Sequence, residues 1–259
     1  MPTPPRFNVL GVGVHALSLP VARDMVIAAA RAETGKPNYV CFCDVNSVSS
    51  AQRDPAHLNR LNRSFLTTPD GMPLVWLGKR AGHKSTSRVY GPDLVLEICR
   101  ATADTELTHF FYGGGQGTAD ALAASLSTRF PGLKVAGTQT PPFRPLTAEE
   151  AGELEKRIIA LRPSFFWVGL STPKQEAFIA EYSRRLGTPV MLGVGAAFDF
   201  LSGRISQAPR WIQHSGFEWF WRLCAEPRRL GPRYFKNNPL FVLRVFGQLT
   251  GLRKYPSDF

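Results

Sequence analysis

The feature that most constrains the fold of this chain is the alternation of short apolar runs with helical patterns through its first 200 residues. Strands that are buried on both faces read as continuous apolar runs, and parallel neighbours need a crossover connection, usually a helix. The pattern therefore predicts an α/β fold with a mostly parallel sheet and helices on both of its faces. The predicted strands cover residues 9–14, 39–43, 65–67, 109–112, 133–136, 165–168 and 190–194.

Two of the predicted helices begin at residues with a clear local reason to start a helix. Thr147 and Glu150 have the spacing of a capping box, in which each side chain bonds to the backbone N–H of the other residue. Pro173 suits the first turn of a helix, where no backbone N–H is needed. Other helical patterns cover residues 20–32, 55–63, 93–101 and 118–129.

The character of the sequence changes after Gly203, which predicts an α/β domain over residues 1–203 and a helical appendage over residues 204–259. The appendage contains ten basic and three acidic residues, a net charge of +7 out of +11, and many aromatic residues. Aromatic and basic residues together are typical of a helix at an anionic membrane surface. The alternative is a C-terminal helix that packs on the core and keeps a solvated basic face.

The net charge of +11 indicates an anionic partner, and nucleic acid, a phospholipid surface and a phosphorylated substrate all satisfy it. The N-terminal stretch has one basic residue, Arg6, and no long apolar segment follows it. No run of about 20 apolar residues occurs either, so we expect a cytoplasmic protein without a transmembrane helix. The cysteines lack the spacing of a metal site, which favours free thiols; they are Cys41, Cys43, Cys99 and Cys224.

Asp70 stands between a short predicted strand and a helical pattern, within residues 67–73 (TTPDGMP). Ligands of open α/β sheets bind at the carboxyl ends of the strands, so a carboxylate here indicates a functional site. Asp is also a common helix N-cap and turn residue, and this second interpretation stays open at the level of sequence.

Polar residues follow other predicted strands as well. The glycines of residues 113–117 lie between a strand and a helix, where their amides suit either phosphate binding or tight packing. Gln175 lies in the first turn of another helix, and Asp199 follows the last predicted strand. Arg88 is an isolated cation after the Asp70 helix. Because these strand ends share one edge of a parallel sheet, we expect a common site there.

Six motifs together resemble the WecG/TagA/CpsF glycosyltransferases, glycosyltransferase family 26. They are residues 68–72 (TPDGM), 88–93 (RVYGPD), 173–176 (PKQE), 195–203 (GAAFDFLSG), 207–211 (QAPRW) and 216–223 (GFEWFWRL). Residues 226–230 (EPRRL) and the pair Arg233-Tyr234 extend the C-terminal signature. The resemblance covers nearly the whole chain in the same order.

The resemblance implies a bacterial inverting glycosyltransferase with a Rossmann-like variant of the α/β fold. Such an enzyme moves a sugar, N-acetylmannosamine-like or another hexose, from a UDP-sugar to a polyprenyl-diphosphate-linked sugar in cell-wall or exopolysaccharide synthesis. The appendage would complete the active site and contact the anionic inner leaflet, so that the enzyme is peripheral on the inner face of the plasma membrane. No cofactor is implied.

The resemblance also assigns roles to residues. Asp70 matches the general base, which takes the proton of the acceptor hydroxyl, and Arg88 is a second catalytic residue. The residues expected to bind the nucleotide-sugar are Asp44, Asn46, Thr68, Gly113, Gly114, Gln175 and Asp199. The arginines expected to bind the diphosphate of the lipid acceptor are Arg222, Arg228, Arg229 and Arg233. No Asp-x-Asp motif is present, so we expect the arginines to stabilise charge without a metal.

Three positions depart from the family pattern. Asp44 replaces the Thr of a usual Thr-x-Asn, although Asn46 is kept. His15 stands where an Asp often ends the first strand, and residues 170–172 (LST) replace a glycine-containing segment. These departures concern the donor and acceptor sugars and leave the reaction class in place.

Two other classes of protein fit part of the pattern. A basic nucleic-acid-binding protein would share the positive charge, but here the charge is concentrated among aromatic residues and no nucleic-acid motif occurs. We therefore expect no nucleic-acid partner. A non-catalytic nucleotide-sugar-binding protein would keep the donor site without needing Asp70 as a base. Oligomeric state stays open, because either a second subunit or lipid could cover the apolar surface of the appendage.

Overall fold

A computed structural model describes residues 3–32, 37–257 and 259 of the chain. A six-stranded sheet forms its centre, and the pairs β3–β8, β8–β7, β7–β5 and β5–β6 named below are parallel. From one edge to the other its strands are β4 (Leu66–Pro69), β3 (Asn38–Cys43), β8 (Val190–Gly193), β7 (Phe165–Gly169), β5 (Thr108–Gly113) and β6 (Lys134–Gln139). Two further strands, β1 (Arg6–Val9) and β2 (Val12–His15), pair antiparallel as a separate hairpin.

Helices connect the strands and form the C-terminal segment. In chain order they are α1 (Leu19–Arg31), α2 (Val45–Ala51), α3 (Pro55–Asn62), α4 (Met72–Arg80), α5 (Gly91–Thr102), α6 (Thr118–Arg129), α7 (Ala148–Leu161), α8 (Lys174–Tyr182), α9 (Ala197–Leu201), α10 (Arg210–Ser215), α11 (Glu218–Ala225) and α12 (Pro227–Leu249). The predicted α/β fold, with its mostly parallel sheet and helical C-terminal segment, is confirmed. The capping box of Thr147 and Glu150 is also present at the start of α7.

The described chain forms two compact units. The first comprises the described residues within 1–18, 42–90 and 207–259, and the second those within 19–41 and 91–206. The predicted boundary at residue 203 stays a prediction. Within the first unit, α12 packs against α2, and the side chain of Gln248 bonds to the N–H of Leu10 and the carbonyl of Asn8.

Aromatic residues build the core of the second unit. Trp167 on β7 pairs in register with Phe111 on β5, and both side chains are fully buried. Phe110 stacks on Phe166 across the same two strands, with ring centroids 5.2 Å apart. Strands with both faces covered need apolar side chains on each face, which accounts for the continuous apolar runs in the sequence.

The predicted strand over residues 9–14 is wrong, because the structure has the β1–β2 hairpin there. Leu10 and Gly11 form the turn with φ angles of 52° and 88°, and two positive φ values suit the twist of a tight hairpin. A leucine in this conformation is uncommon, so no residue at this position indicates a turn.

His15 joins the hairpin to strand β4. Nε2 of its imidazole lies 3.0 Å from Nε of Arg6, and Nδ1 lies 2.9 Å from the backbone N of Thr67. Burial, and then the charge of Arg6, lower the pKa of His15 to about 4, so the ring is neutral near pH 7. The contact positions strand β4, which leads directly to Asp70.

The long helix α12 continues through Pro232 and Pro239. Across the described ranges, no helix combines the length and the apolar character needed to cross a membrane.

Candidate active site

Asp70 follows the last residue of β4, and its backbone fixes it against the neighbouring strand. Its N–H donates to the carbonyl of Cys43 at 2.9 Å, and the N–H of Gly71 reaches the same oxygen at 3.3 Å. Helix α4 begins at Met72, and its N-cap is Gly71, which makes no side-chain capping bond. The N-cap interpretation of Asp70 is therefore wrong, and its carboxylate does not serve to start the helix.

Arg88 lies beside Asp70 and is held from several directions. Its Nε donates to the backbone carbonyl of Asp70 at 2.5 Å, and its Nη1 donates to that of Gln213 at 3.1 Å. Its Nη2 forms an ion pair with Oε2 of Glu218 at 2.6 Å but lies 3.9 Å from Oδ1 of Asp70. The guanidinium carbon sits 4.0 Å from the ring centre of Tyr90. Arg88 thus links strand β4 to helices α10 and α11 within the first unit.

The environment of Asp70 makes its carboxylate basic. Burial raises its pKa to about 7; Arg88 opposes this shift, whereas Asp44 and Glu218 add to it. The side chain is 23% exposed, so it remains accessible, and Oδ1 has no hydrogen-bond partner in the described part of the chain. A carboxylate with a pKa near neutral is well matched to general base catalysis at physiological pH.

Asp70 opens into a cavity of about 580 Å³ whose lining residues all belong to the first unit. One part of the lining is polar: Asp44, Asn46, Asp70, Arg88, Tyr90, Gln213, Glu218, Arg222, Asn237 and Asn238. The other part is apolar: Met72, Trp76, Leu77, Phe241, Val242, Val245, Phe246 and Leu249. The cavity therefore suits a ligand with a polar head and an apolar extension.

Asp44 and Asn46, which the family resemblance implies for nucleotide-sugar binding, both line this cavity, and their binding role stays a prediction. Oδ1 of Asp44 caps α2 by accepting from the N and Oγ of Ser47 at 2.7 and 3.0 Å. Oδ1 of Asn46 accepts from Nδ2 of Asn237 on α12 at 3.0 Å. Thr68 lies fully buried in β4, two residues before Asp70.

The four arginines predicted to meet a diphosphate have different environments. Arg222 lines the cavity, and although burial disfavours its charge, Tyr234, Tyr90, Glu218 and Asp44 raise its pKa. Its guanidinium is thus a half-buried cation whose charge acts on the carboxylate of Asp70.

The other three arginines do not line the cavity. Arg228 is exposed, and Arg229 forms an ion pair with Glu226 at 2.5 Å. Arg233 lies 5.2 Å from the ring centre of Tyr234, and its Nε is buried without a hydrogen-bond partner among the described residues. Of the four, Arg222 is best placed to act at Asp70.

The remaining predicted residues belong to the second unit. Gly113 ends β5 with φ 133°, and a Cβ there would lie 2.6 Å from the carbonyl oxygen of Gly169. The N–H of Gly114 donates to that carbonyl at 2.9 Å. Both glycines therefore have a packing role, and the N–H of Gly114 is already used within the protein.

Gln175 and Asp199 also lie in the second unit. Gln175 is buried; its Nε2 donates to the carbonyl of Gly193 at 2.8 Å, whereas its Oε1 has no partner in the described residues. Asp199 lies half-buried on the short helix α9, where its backbone carbonyl accepts from the N–H of Arg204 at 3.0 Å. Nucleotide binding by these residues stays a prediction.

Sequence reasoning missed five polar residues that line the cavity: Tyr90, Gln213, Glu218, Asn237 and Asn238. Glu218 and Tyr90 each lay inside a quoted motif but received no role. The available signal was an acidic residue surrounded by Trp and Phe in an otherwise basic segment, because such a charge is buried only when it is paired.

Comparison with known proteins identifies the family to which the sequence is similar. The model of the glycosyl transferase WecG/TagA/CpsF family matches residues 7–255. A protein of Bacillus subtilis named N-acetylglucosaminyldiphosphoundecaprenol N-acetyl-beta-D-mannosaminyltransferase is 28% identical over 180 residues, which are 70% of this chain and 68% of the relative. Proteins with the same name from Bacillus spizizenii and Staphylococcus aureus are 28% identical over 195 residues and 24% identical over 207 residues. These alignments cover 75% and 80% of this chain, and 73% and 79% of the respective relatives.

Proposed function

The chain belongs to the glycosyl transferase WecG/TagA/CpsF family, and from that premise we propose the reaction it catalyses. It moves an N-acetylmannosamine-like sugar, or a related hexose, from a UDP-sugar to a sugar that is joined to a polyprenol through a diphosphate. The acceptor class follows the names of the relatives, which act on a diphosphoundecaprenol-linked N-acetylglucosamine. The UDP donor and the inversion of the anomeric centre follow the family resemblance of the sequence.

One observation carries this proposal: Asp70 lines a cavity of about 580 Å³ together with other polar side chains, and burial raises its pKa to about 7. The acceptor hydroxyl is a weak nucleophile until its proton is removed as the new C–O bond forms. Asp70 takes that proton, a role that typically accelerates a reaction by about 10²–10⁴-fold. Attack from the face opposite the departing UDP inverts the anomeric centre.

The leaving group needs positive charge, because negative charge accumulates on the β-phosphate as its bond to the sugar breaks. Arg222 supplies it from the cavity lining, where it is half-buried and its charge is partly removed from water, which strengthens the interaction. Arg228, Arg229 and Arg233 lie on the same C-terminal segment and serve the diphosphate of the acceptor. We propose that these arginines act without a divalent metal or a cofactor, as arginine binds phosphate oxygens through its planar fork.

In the first unit, donor binding is assigned to Asp44, Asn46 and Thr68. In the second unit, taken by itself, Gln175 and Asp199 keep the donor-binding role that the family resemblance implies, whereas Gly113 and Gly114 already have a packing role. The unpartnered Oε1 of Gln175 supports this role, because a buried amide oxygen is stabilised by accepting a hydrogen bond from a ligand.

The lipid part of the acceptor fits the apolar part of the cavity. Trp76 and Leu77 of α4 and Phe246 of α12 line it and would contact the first isoprene units. The outer surface of α12 carries exposed apolar side chains, with Phe235 76% exposed and Leu243 67% exposed. Together with the basic residues of this segment, they support peripheral binding to the anionic inner leaflet of the plasma membrane.

The proposal is tested by measuring UDP release from a series of UDP-sugars, with a polyprenyl-diphosphate-linked N-acetylglucosamine as acceptor. We expect acceptor-dependent release with one or a few donors, and release that persists when EDTA is added. Absence of acceptor-dependent release across the series would contradict the reaction, and loss of activity in EDTA would contradict its independence of metal. A non-catalytic nucleotide-sugar-binding protein would bind a donor without releasing UDP.

A further inference from the structure

Glu218 is a buried carboxylate to which sequence and family resemblance gave no role. It is the first residue of α11 and is 8% exposed. Its Oε1 accepts from the hydroxyl of Tyr90 at 2.9 Å, and its Oε2 pairs with Nη2 of Arg88 at 2.6 Å. A buried charge of this kind is costly unless its partners compensate it, so its position beside Asp70 needs an explanation.

We propose that Glu218 is a positioning residue that holds the guanidinium of Arg88 away from the carboxylate of Asp70 and thereby keeps Asp70 a competent base. The proposal rests on the function of Asp70 proposed above. Glu218 touches no reacting atom in this account and acts through Arg88.

Arg88 lies closer to Glu218 than to the carboxylate of Asp70. Nη2 of Arg88 lies 2.6 Å from Glu218 but 3.9 Å from Oδ1 of Asp70. Nη2 therefore makes its close ion pair with Glu218, although the charge of Arg88 still lowers the pKa of Asp70 across the longer distance. Without Glu218, Nη2 would be free to close on Asp70. A direct pair with arginine lowers the pKa of an Asp by about 1–3 units and makes it a weaker base.

The other charged groups around Asp70 do not replace Glu218. Asp44, at the N-cap of α2, shares its negative sign but is bonded to Ser47 and has no contact with Arg88 among the described interactions. Arg222 of α11 is a cation and lowers the pKa of Asp70, and Tyr90 contributes a hydroxyl that is bonded to Glu218. Among the groups that raise the pKa of Asp70, Glu218 is therefore the one that also holds Arg88.

Glu218 lies on α11, which packs against α10. Arg88 also bonds to the carbonyl of Gln213 on α10. Gly216 lies between the two helices and approaches Trp76 so closely that a Cβ would lie 2.6 Å from its ring. Arg88 is thus held by two neighbouring helices of the C-terminal segment, α10 and α11.

The test is the pH dependence of kcat/KM for Glu218→Gln, with acceptor-dependent UDP release as readout. In the wild type we expect the acid limb to lie near pH 7, where Asp70 loses its proton. In Glu218→Gln the limb should move about one unit or more toward lower pH, with a plateau that is about three- to tenfold lower. Glu218→Asp keeps the negative charge but places it farther from Arg88, because the side chain is shorter. Its acid limb should also move toward lower pH, by less than in Glu218→Gln.

Tyr90→Phe removes the hydroxyl bond but keeps the pair of Arg88 and Glu218, so its acid limb should stay close to that of the wild type. An unmoved acid limb in both Glu218 variants, even with a lower plateau, would reduce Glu218 to a structural role and overturn the proposal. If Glu218→Gln does not fold, Glu218→Asp alone decides by the same criterion. Asp70→Asn separates the two proposals: wild-type turnover in that variant contradicts the base assignment itself.

Discussion

The guanidinium of Arg88 bonds closely to the main chain of Asp70 and keeps a longer distance from the Asp70 carboxylate. Nε of Arg88 donates to the backbone carbonyl of Asp70 at 2.5 Å, while the nearest guanidinium nitrogen lies 3.9 Å from the carboxylate. The position of Asp70 is therefore fixed without a close ion pair that would remove its basicity. This combination of a fixed backbone and a basic side chain is what a general base needs.

The raised pKa of Asp70 has a consequence for stability. Its pKa is about 7 in the folded chain but about 3.9 when unfolded, so the folded state binds the proton more tightly. The stability that this protonation contributes is present below about pH 4 and is lost as the pH rises through 7. Asp70→Asn removes the buried charge and should raise Tm at pH 8. The corresponding increase in the free energy of unfolding is on the order of 2 kcal/mol. Below pH 4 the two melting curves should coincide, and equal Tm values at pH 8 would contradict the raised pKa.

Arg222 should contribute more to turnover than an exposed arginine of the same unit. Arg222→Ala removes the cation that lines the cavity, and loss of such a stabilising group typically costs about 10²–10³-fold in kcat. Arg80→Ala removes an exposed charge at the end of α4 and is the matched control. The UDP-release kinetics of the two variants are compared under conditions in which the same fraction of each protein is bound to vesicles. Similar activity in the two variants would remove Arg222 from the site.

Gly216 should be intolerant of a side chain for two separable reasons. Its φ of 84° disfavours any other residue, and a Cβ would lie 2.6 Å from Trp76. Gly251 has a similar φ of 76° with no atom near its Cβ position, so Gly251→Ala measures the backbone effect alone. That effect is about 1–2 kcal/mol, and the clash in Gly216→Ala should add about 1–3 kcal/mol. Thermal melts of both variants, with UDP release, test this; equal losses would argue against tight docking of α10 on α4.

The exposed apolar side chains of α12 should be needed for membrane binding but not for folding. The double substitution Phe235→Glu and Leu243→Glu adds charge to exposed positions outside the cavity lining. We expect at least a tenfold loss of binding to anionic vesicles in sedimentation, with Tm unchanged, because burying charge in the bilayer interface is costly. Ile159→Glu, at an exposed apolar position on α7, should bind as the wild type does. Unchanged vesicle binding by the double variant would exclude α12 as the membrane-binding surface.

Point substitutions are the better test of the C-terminal segment, because its deletion does more than remove a membrane contact. Leu230, Tyr234 and Phe241 of α12 are buried within the first unit. Deleting residues 204–259 would expose the surfaces against which they pack, so that loss of transfer would have two causes. Substitutions on the exposed face separate membrane binding from folding.

Local sequence patterns predicted those parts of the structure that depend on neighbouring residues. The apolar runs of the sheet and the capping box of Thr147 follow from burial and from hydrogen bonding within a few residues, and both are confirmed. The turn at Leu10 was not predicted, because leucine is not a turn-forming residue even though its φ is positive here. Its conformation is imposed by the pairing of β1 with β2.

The candidate site shows the same division. Asp70 could be found from its place after a strand, since the ends of strands carry ligand-binding residues in open α/β sheets. The pairing of Glu218 with Arg88 and Tyr90 joins residues about 130 positions apart, and no periodicity or spacing specifies such a contact. The sequence left open whether Asp70 caps the helix, because a shift of one residue in the start of the helix decides it. The helix begins at Met72, so that Gly71 is its N-cap.

The most direct test of the central claim compares Asp70→Asn with the wild type in one preparation. Acceptor-dependent UDP release measures turnover, calorimetric titration with the UDP-sugar measures donor binding, and circular dichroism checks the fold. We predict a loss of about 10²–10⁴-fold in kcat with donor affinity and fold unchanged, because the variant keeps the shape of the side chain but accepts no proton at neutral pH. Turnover equal to that of the wild type would contradict the assignment of Asp70 as the catalytic base.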